Sequence, residues 1–187
     1  MFNKIFIFLI IFINFSLKLY ADEKQLIINR LQNINNITFD FEQKTNRKKE
    51  IGTCVLVFDN KLSCDYKDSF QKRVLINNKT LVIHQKRYDK IYIYPISNSP
   101  FVKIFNKNSL INFIKNSDYR SDESIELTYR GENKEKIKIF FENGSYNLVG
   151  WSVVDQLQNT IYFSIKIKHI NSEINPKIFK TPSLVRE

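Results

Sequence analysis

Apolar residues alternate with polar ones in short runs along nearly the whole chain, and this period of two constrains the fold more than any other feature. Ile37, Phe39 and Phe41 alternate with Thr38, Asp40 and Glu42, the pattern of a strand with one buried face. Similar runs follow at Ile51–Phe58, Leu62–Tyr66, Arg73–Ile76, Thr80–His84 and Lys90–Tyr94. More come at Ser124–Arg130, Lys136–Phe141, Ser145–Asp155 and Thr160–His169. The joints are short and rich in turn formers: Asp59-Asn60, Asn77-Asn78, Gly131-Glu132-Asn133, Glu142-Asn143-Gly144 and Gln158-Asn159. Strands joined by tight reversals, with no helices between them, make an antiparallel meander that is curled or closed into a barrel.

Two stretches break the alternation. In Asp22–Asn35, Leu26, Ile27, Leu31 and Ile34 recur at helical spacing with acidic residues in the first turn, which predicts a short amphipathic helix. After Pro95 and Pro100, the spacing of Phe101, Ile104, Phe105, Leu110, Phe113 and Ile114 predicts one or two short helices, with Ser109 as a candidate N-cap. The predicted order is therefore helix, six strands, a helical insertion, then four or more strands. Asp118, Asp122 and Glu123 read as a solvated polar loop.

The first 21 residues carry a different message. Lys4 precedes an apolar run from Ile5 to Phe15, and Leu19-Tyr20-Ala21 reads as a small-residue cleavage site. This is the layout of a secretory signal peptide, and the apolar core falls short of the ~20 residues a membrane span needs. The expected organisation is a signal at 1–21 and a single domain at 22–187, working outside the cytoplasm. Beyond residue 21 stand 27 Lys and Arg against 19 Asp and Glu, a charge of +8. The cations are scattered rather than clustered, and an exported protein rarely meets nucleic acid, so the charge argues for no nucleic-acid partner.

Enzyme chemistry finds no candidate. His84 and His169 stand in strand-like runs without a nucleophile motif, and there is no G-x-S-x-G and no phosphate-cradling glycine loop. Cys54 and Cys64 are too far apart for a redox Cys-x-x-C, and with two histidines a zinc site is not expected. No cofactor is expected either. What stands out is apolar mass on a thin sheet, with 16 Phe and 9 Tyr. Such side chains either fill a core or line a pocket for an acyl chain, and composition alone leaves both open.

A series of local patterns, in order, then resembles the periplasmic outer-membrane lipoprotein carrier family (LolA). The first helix followed by Phe39-Asp40-Phe41-Glu42-Gln43 is similar to the family's helix and F-x-Q strand. Gly52 opens the next strand as the family glycine does, and Tyr66 ends the one after. Val74–Leu81 resembles the family hairpin, and Ser99-Pro100-Phe101 with Ile104-Phe105 resembles its helix. Leu148-Val149-Gly150-Trp151-Ser152-Val153-Val154-Asp155 resembles its L-x-G-W-x-V-x-D strand, and Asn171, Ile178, Phe179 and Pro182 resemble its closing segment.

The resemblance implies a mainly β (α+β) fold: an incomplete antiparallel β-barrel, or half-barrel, with an N-terminal helix and a short helical lid. It implies a monomeric chaperone that holds the acyl chains of lipoproteins. The cargo is received from an inner-membrane ABC transporter and delivered to an outer-membrane receptor. On this layout the cavity residues are Phe39, Phe41, Leu56, Phe58, Tyr92, Tyr94 and Trp151, and the lid residues are Phe101, Ile104, Phe105, Leu110 and Phe113. One departure stands out: Phe58-Asp59 occupies the place of the family's Arg-Pro pair, whose arginine bonds to the lid, so closure here must use packing or another residue. A three-residue turn at 58–60 would set Cys54 opposite Cys64, as a concave-face disulfide or as two free buried thiols. A related half-barrel with another lipid, a receptor, and a structural domain with a filled core remain alternatives. Leu19-Tyr20-Ala21-Asp22 lacks the lipobox cysteine of an outer-membrane receptor.

Overall fold

The computed structural model describes residues 23–46, 48–58, 60–96, 102–130, 136–154 and 159–182. The expected signal at 1–21 and Phe101 of the expected lid lie outside the described residues.

Helix α1 covers residues 23–32. Six strands follow: β1 (Asn36–Thr45), β2 (Lys48–Val57), β3 (Lys61–Tyr66), β4 (Lys72–Asn77), β5 (Thr80–Gln85) and β6 (Lys90–Pro95). Helices α2 (Val102–Phe105) and α3 (Lys107–Asn116) lead to β7 (Asp118–Ser121), β8 (Ile125–Arg130), β9 (Lys136–Phe141), β10 (Leu148–Val154) and β11 (Thr160–Ile170). All eleven strands form one antiparallel sheet in the order β6-β5-β4-β3-β2-β1-β11-β10-β9-β8-β7. β6 and β7 end the sheet and do not pair with each other, so the barrel stays open at that seam. The connection through α2 and α3 runs from one edge strand to the other.

The chain's alternation places β1 at the centre. Ile37, Phe39 and Phe41 are buried and point into the shell, while β1 pairs with β2 on one side and β11 on the other. The β1–β11 pairing thus joins the first meander (β1–β6) to the second (β7–β11). Glycine is required where backbones and rings crowd together. A Cβ on Gly52 would lie 2.3 Å from the Asp65 carbonyl oxygen and 2.6 Å from the Phe41 ring. A Cβ on Gly150 would lie 2.3 Å from the Phe163 carbonyl oxygen.

Three local features differ from the sequence expectation. The polar stretch from Asp118 to Ser121 is a strand, β7, rather than a loop, because β8 supplies a full ladder of partners that its own composition does not advertise. The cap of α3 is Asn106, whose Oδ1 accepts from the Ser109 backbone N–H, so Ser109 lies inside the helix. In the β4–β5 hairpin Asn77 still pairs with Thr80, and the reversal falls on Asn78 and Lys79. Asn78 supplies the left-handed conformation (φ 55°) that asparagine tolerates better than most residues.

Apolar side chains of α1 and α3 cover the β8–β10 side of the concave face. Ile125, Leu127, Ile137, Ile139 and Phe141 are fully buried there, together with Ile27, Leu110 and Ile114. A small separate cluster sits on the convex face. Leu75 and Val82 are buried, and the 3-10 turn Pro176–Phe179 packs over β3 and β4 with Phe179 buried.

Candidate functional site

The concave face of β2–β5 carries no such cover, and a cavity of about 260 Å³ remains there. Its direction follows from the register. Along β4, Ile76, Val74 and Lys72 line it in turn, and they face Leu62 and Cys64 of β3 and Leu81 and Ile83 of β5. Four residues at about 3.3 Å rise separate Ile76 from Lys72, so the hollow extends roughly 13 Å along the strand. Phe105 of α2 and Ile96 wall one end, and Gln43, Tyr66 and Lys72 lie at the other.

The aromatic wall is built around Trp151 on β10. Its indole stacks on Phe163 at 4.9 Å and meets Phe39 (6.3 Å) and Phe105 (5.9 Å) edge-on, arrangements that ring quadrupoles favour. Trp151 is buried, and its Nε1 donor has no acceptor among the described residues. Between β2 and β3, Cys54 pairs with Cys64 and the two are joined by a disulfide that forms part of the cavity wall.

The structure gathers some of the expected cavity residues and separates others. Phe39 and Trp151 line the hollow. Phe41 shares their face, but its ring is held between Tyr66 (4.8 Å) and Phe163 (5.8 Å) beside Gly52, behind the cavity wall. Leu56 is fully buried in the packed core. Phe58 is buried next to Asn35 and the start of α3, where its backbone N–H donates to the Asn35 carbonyl at 3.0 Å. Tyr92 and Tyr94 pair with Ile83 and Leu81, so they belong to the concave face, but on edge strand β6 they stand 41% and 47% exposed at the rim.

Of the lid residues, Phe105 reaches the cavity wall, while Ile104, Leu110 and Phe113 are buried in the core beside it. Lid closure uses contacts from several elements. The Asn60 N–H donates to the Phe105 carbonyl at 3.4 Å, and Lys107 Nζ donates to the Gln32 carbonyl and Asn35 Oδ1, each at 3.4 Å. At the far end of α3, Lys24 Nζ donates to the Ser117 carbonyl at 2.7 Å. Phe58 thus stands beside the lid as an apolar neighbour, and the Asn60–Phe105 bond where α2 meets the sheet is long.

Sequence reasoning missed Val74, Leu81, Ile83, Phe163 and the polar trio Gln43, Tyr66 and Lys72. The signal was face parity. Phe39 opposite Cys54, and Cys54 opposite Cys64, fixes Val74 and Ile83 on the same face through successive hairpins. At the polar end the Tyr66 hydroxyl donates to Gln43 Oε1 (2.8 Å), and Lys72 Nζ donates to Glu50 Oε1 (2.6 Å) while lying 3.8 Å over the Tyr66 ring. Burial and the nearby charges of Glu50 and Asp68 push the Tyr66 phenol well above its usual range, so it stays protonated. Burial pushes the Glu50 carboxyl up, but hydrogen bonds from Lys72 and Lys48 outweigh it and hold the group below its usual value.

With this geometry in view, the family model "Outer membrane lipoprotein carrier protein LolA" matches residues 32–182. The chain belongs to the LolA family. Proteins of the LolA family are periplasmic and act by binding rather than by catalysis. No curated protein sequence matches the chain. Among solved structures, an uncharacterized conserved protein from Thermus thermophilus is similar in fold, with a TM-score of 0.54 and 8% identity over 87% of this chain and 96% of that one. MucB is similar with a TM-score of 0.50 and 10% identity over 87% of this chain, which spans 64% of the MucB chain. A LolA-superfamily protein from Nitrosomonas europaea matches with a TM-score of 0.42 and 8% identity, over 84% and 97% of the two chains. The half-barrel expected for a LolA-like chain is the open eleven-stranded sheet described above.

Proposed function

We propose that this LolA-family chain is an exported, non-enzymatic carrier that holds the acyl chains of lipoproteins in the hollow half of its barrel. In this reading it shuttles them from an inner-membrane ABC transporter to an outer-membrane receptor. The observation that carries the reading is an apolar cavity walled at one end by Phe105 of α2, in a shell whose other half is packed solid. An apolar hollow forfeits dispersion contacts that close packing would supply, so leaving it open stabilises nothing by itself. Its use is to exchange water for an apolar guest, at ~0.8 kcal/mol per buried CH₂.

The cavity's size sets how loading must occur. About 260 Å³ lies just under the ~300–1,000 Å³ of pockets that enclose drug-sized ligands, so a multiply acylated cargo requires the lid to move outward. The Asn60–Phe105 hydrogen bond, at 3.4 Å, is long enough to yield at modest cost, while the Phe105–Trp151 contact re-forms when the cargo leaves. Moderate affinity suits a carrier, because a cargo held by every methylene could not be released. Direction then comes from the partners.

The test is mass spectrometry of lipid and lipoprotein that co-purify with the protein from the periplasm of its native cell. Triacylated lipoprotein is the expected passenger. Protein recovered from the cytoplasm, or from the periplasm with nothing acylated bound, would overturn the reading.

A further inference from the structure

One end of the cavity is chemically unlike the rest. Gln43, Tyr66 and Lys72 line it with polar atoms, whereas its other lining residues are apolar or belong to the disulfide. The bonding inventory at this end leaves donors over. Gln43 Oε1 is taken by the Tyr66 hydroxyl, and Gln43 Nε2 has a single long contact, 3.4 Å to Thr45 Oγ1, among the described residues. A lysine ammonium carries three N–H groups, and Lys72 gives one of them to Glu50. Among the described residues, two ammonium N–H groups and one amide N–H are therefore left without an acceptor at the wall of an apolar cavity.

Formal charge is balanced at this end, so the surplus of donors carries the preference. Glu50 is shared between Lys72 at 2.6 Å and Lys48 at 2.9 Å, and Asp68 Oδ1 accepts from the Lys72 backbone N–H at 2.9 Å, so the four charges sum to zero. Lys72 and Glu50 are mostly shielded from water, with side chains 18% and 9% exposed. A head group that only accepts hydrogen bonds fits this end, and a cationic one does not.

We propose that Gln43, Tyr66 and Lys72 form a head-group subsite, which takes the carbonyl-type oxygens of an acyl ligand while its chain runs back along β4 toward Phe105. The shared chemistry is the acyl C=O, whether as the ester of a lipidated protein or the carboxylate of a free fatty acid. This rests on the acyl-binding reading of the cavity. It adds an orientation: head at Lys72, tail beneath the lid.

The experiment titrates the full mature chain with three probes of one chain length: laurate, methyl laurate and dodecyltrimethylammonium. Trp151, the only tryptophan of the chain, reports occupancy from the cavity wall. The variants are Lys72→Met, Lys72→Arg and Gln43→Leu, each compared with the parent for thermal stability. Lys72→Met weakens laurate about tenfold, equivalent to ~1.4 kcal/mol. Dodecyltrimethylammonium binding is unchanged or tighter, and Lys72→Arg restores most of the laurate affinity. If methyl laurate weakens as well, the ester carbonyl is read, and if laurate alone weakens, the carboxylate is; either result supports the subsite. Equal changes for all three probes, or no change for any, overturn it while leaving acyl binding intact. A parent protein that binds none of the three overturns the acyl-binding reading and the subsite together.

Discussion

The two halves of the shell interior are written in the same alternating code yet end in opposite states. On the β8–β10 side, Leu127, Ile139 and Phe141 are fully buried beneath α1 and α3. On the β2–β5 side, Val74, Leu81 and Ile83 face a hollow. The strands of both halves bury one face and pair fully, so strand chemistry does not separate them. Helix placement does. Two short helices cover only part of a sheet this wide, and the uncovered part becomes the cavity. A disulfide between β2 and β3 lies in that wall of the cavity.

The contrast can be broken most directly by truncation. Ile139→Ala or Phe141→Ala should cost ~2–5 kcal/mol in urea unfolding, because a packed site collapses poorly around a void. Val74→Ala, whose side chain already borders empty space, should cost well under half of that. Equal losses would mean that the two halves are packed alike. Next in size is the disulfide. Reducing Cys54–Cys64 should cost ~2–3 kcal/mol for a loop of ten residues, and amide exchange should rise in β2–β4 while β8–β10 stay protected. A uniform rise across both halves would show that the bond stabilises the whole shell and not its thin wall.

A smaller effect depends on pH. The Glu50 carboxyl titrates below its ordinary 4.5 in the folded chain, because hydrogen bonds from Lys72 and Lys48 outweigh the upward push of burial. A depressed folded pKa contributes stability above about pH 4.5, and that stability is lost as pH falls through the folded value. Thermal stability should thus fall as pH drops below about 4.5, and less steeply in Lys72→Met. An unchanged slope in that variant would remove Glu50 from the account. The smallest effect is at the rim: Tyr92→Ser and Tyr94→Ser should each change stability by no more than ~0.5 kcal/mol, as exposed positions do. A larger loss in a melting curve would show that β6 is packed more tightly than its exposure indicates.

The sequence made most of the sheet legible, because period two is a property of each strand alone. Ile37, Phe39 and Phe41 announce β1 without help from any neighbour. Asp118–Ser121 does not announce β7, since an edge strand of four polar residues owes its shape to the ladder offered by β8. Membership of the cavity was harder to read. Leu56 and Phe39 share a face and a period and both are fully buried, yet only Phe39 borders the hollow. Lys72 looked like one more scattered cation. Its place at the wall follows from register carried across three hairpins, and the reversal at Asn78-Lys79 rather than Asn77-Asn78 shows how easily such a count slips.

The most direct test of the hollow half is a titration of the mature protein with a synthetic triacylated lipopeptide, followed by Trp151 emission. A saturable change is expected, absent with the deacylated peptide and weakened by Val74→Phe, which fills part of the hollow. Emission that stays flat, from a chain that unfolds cooperatively and is shown to carry no prior lipid, would contradict the account.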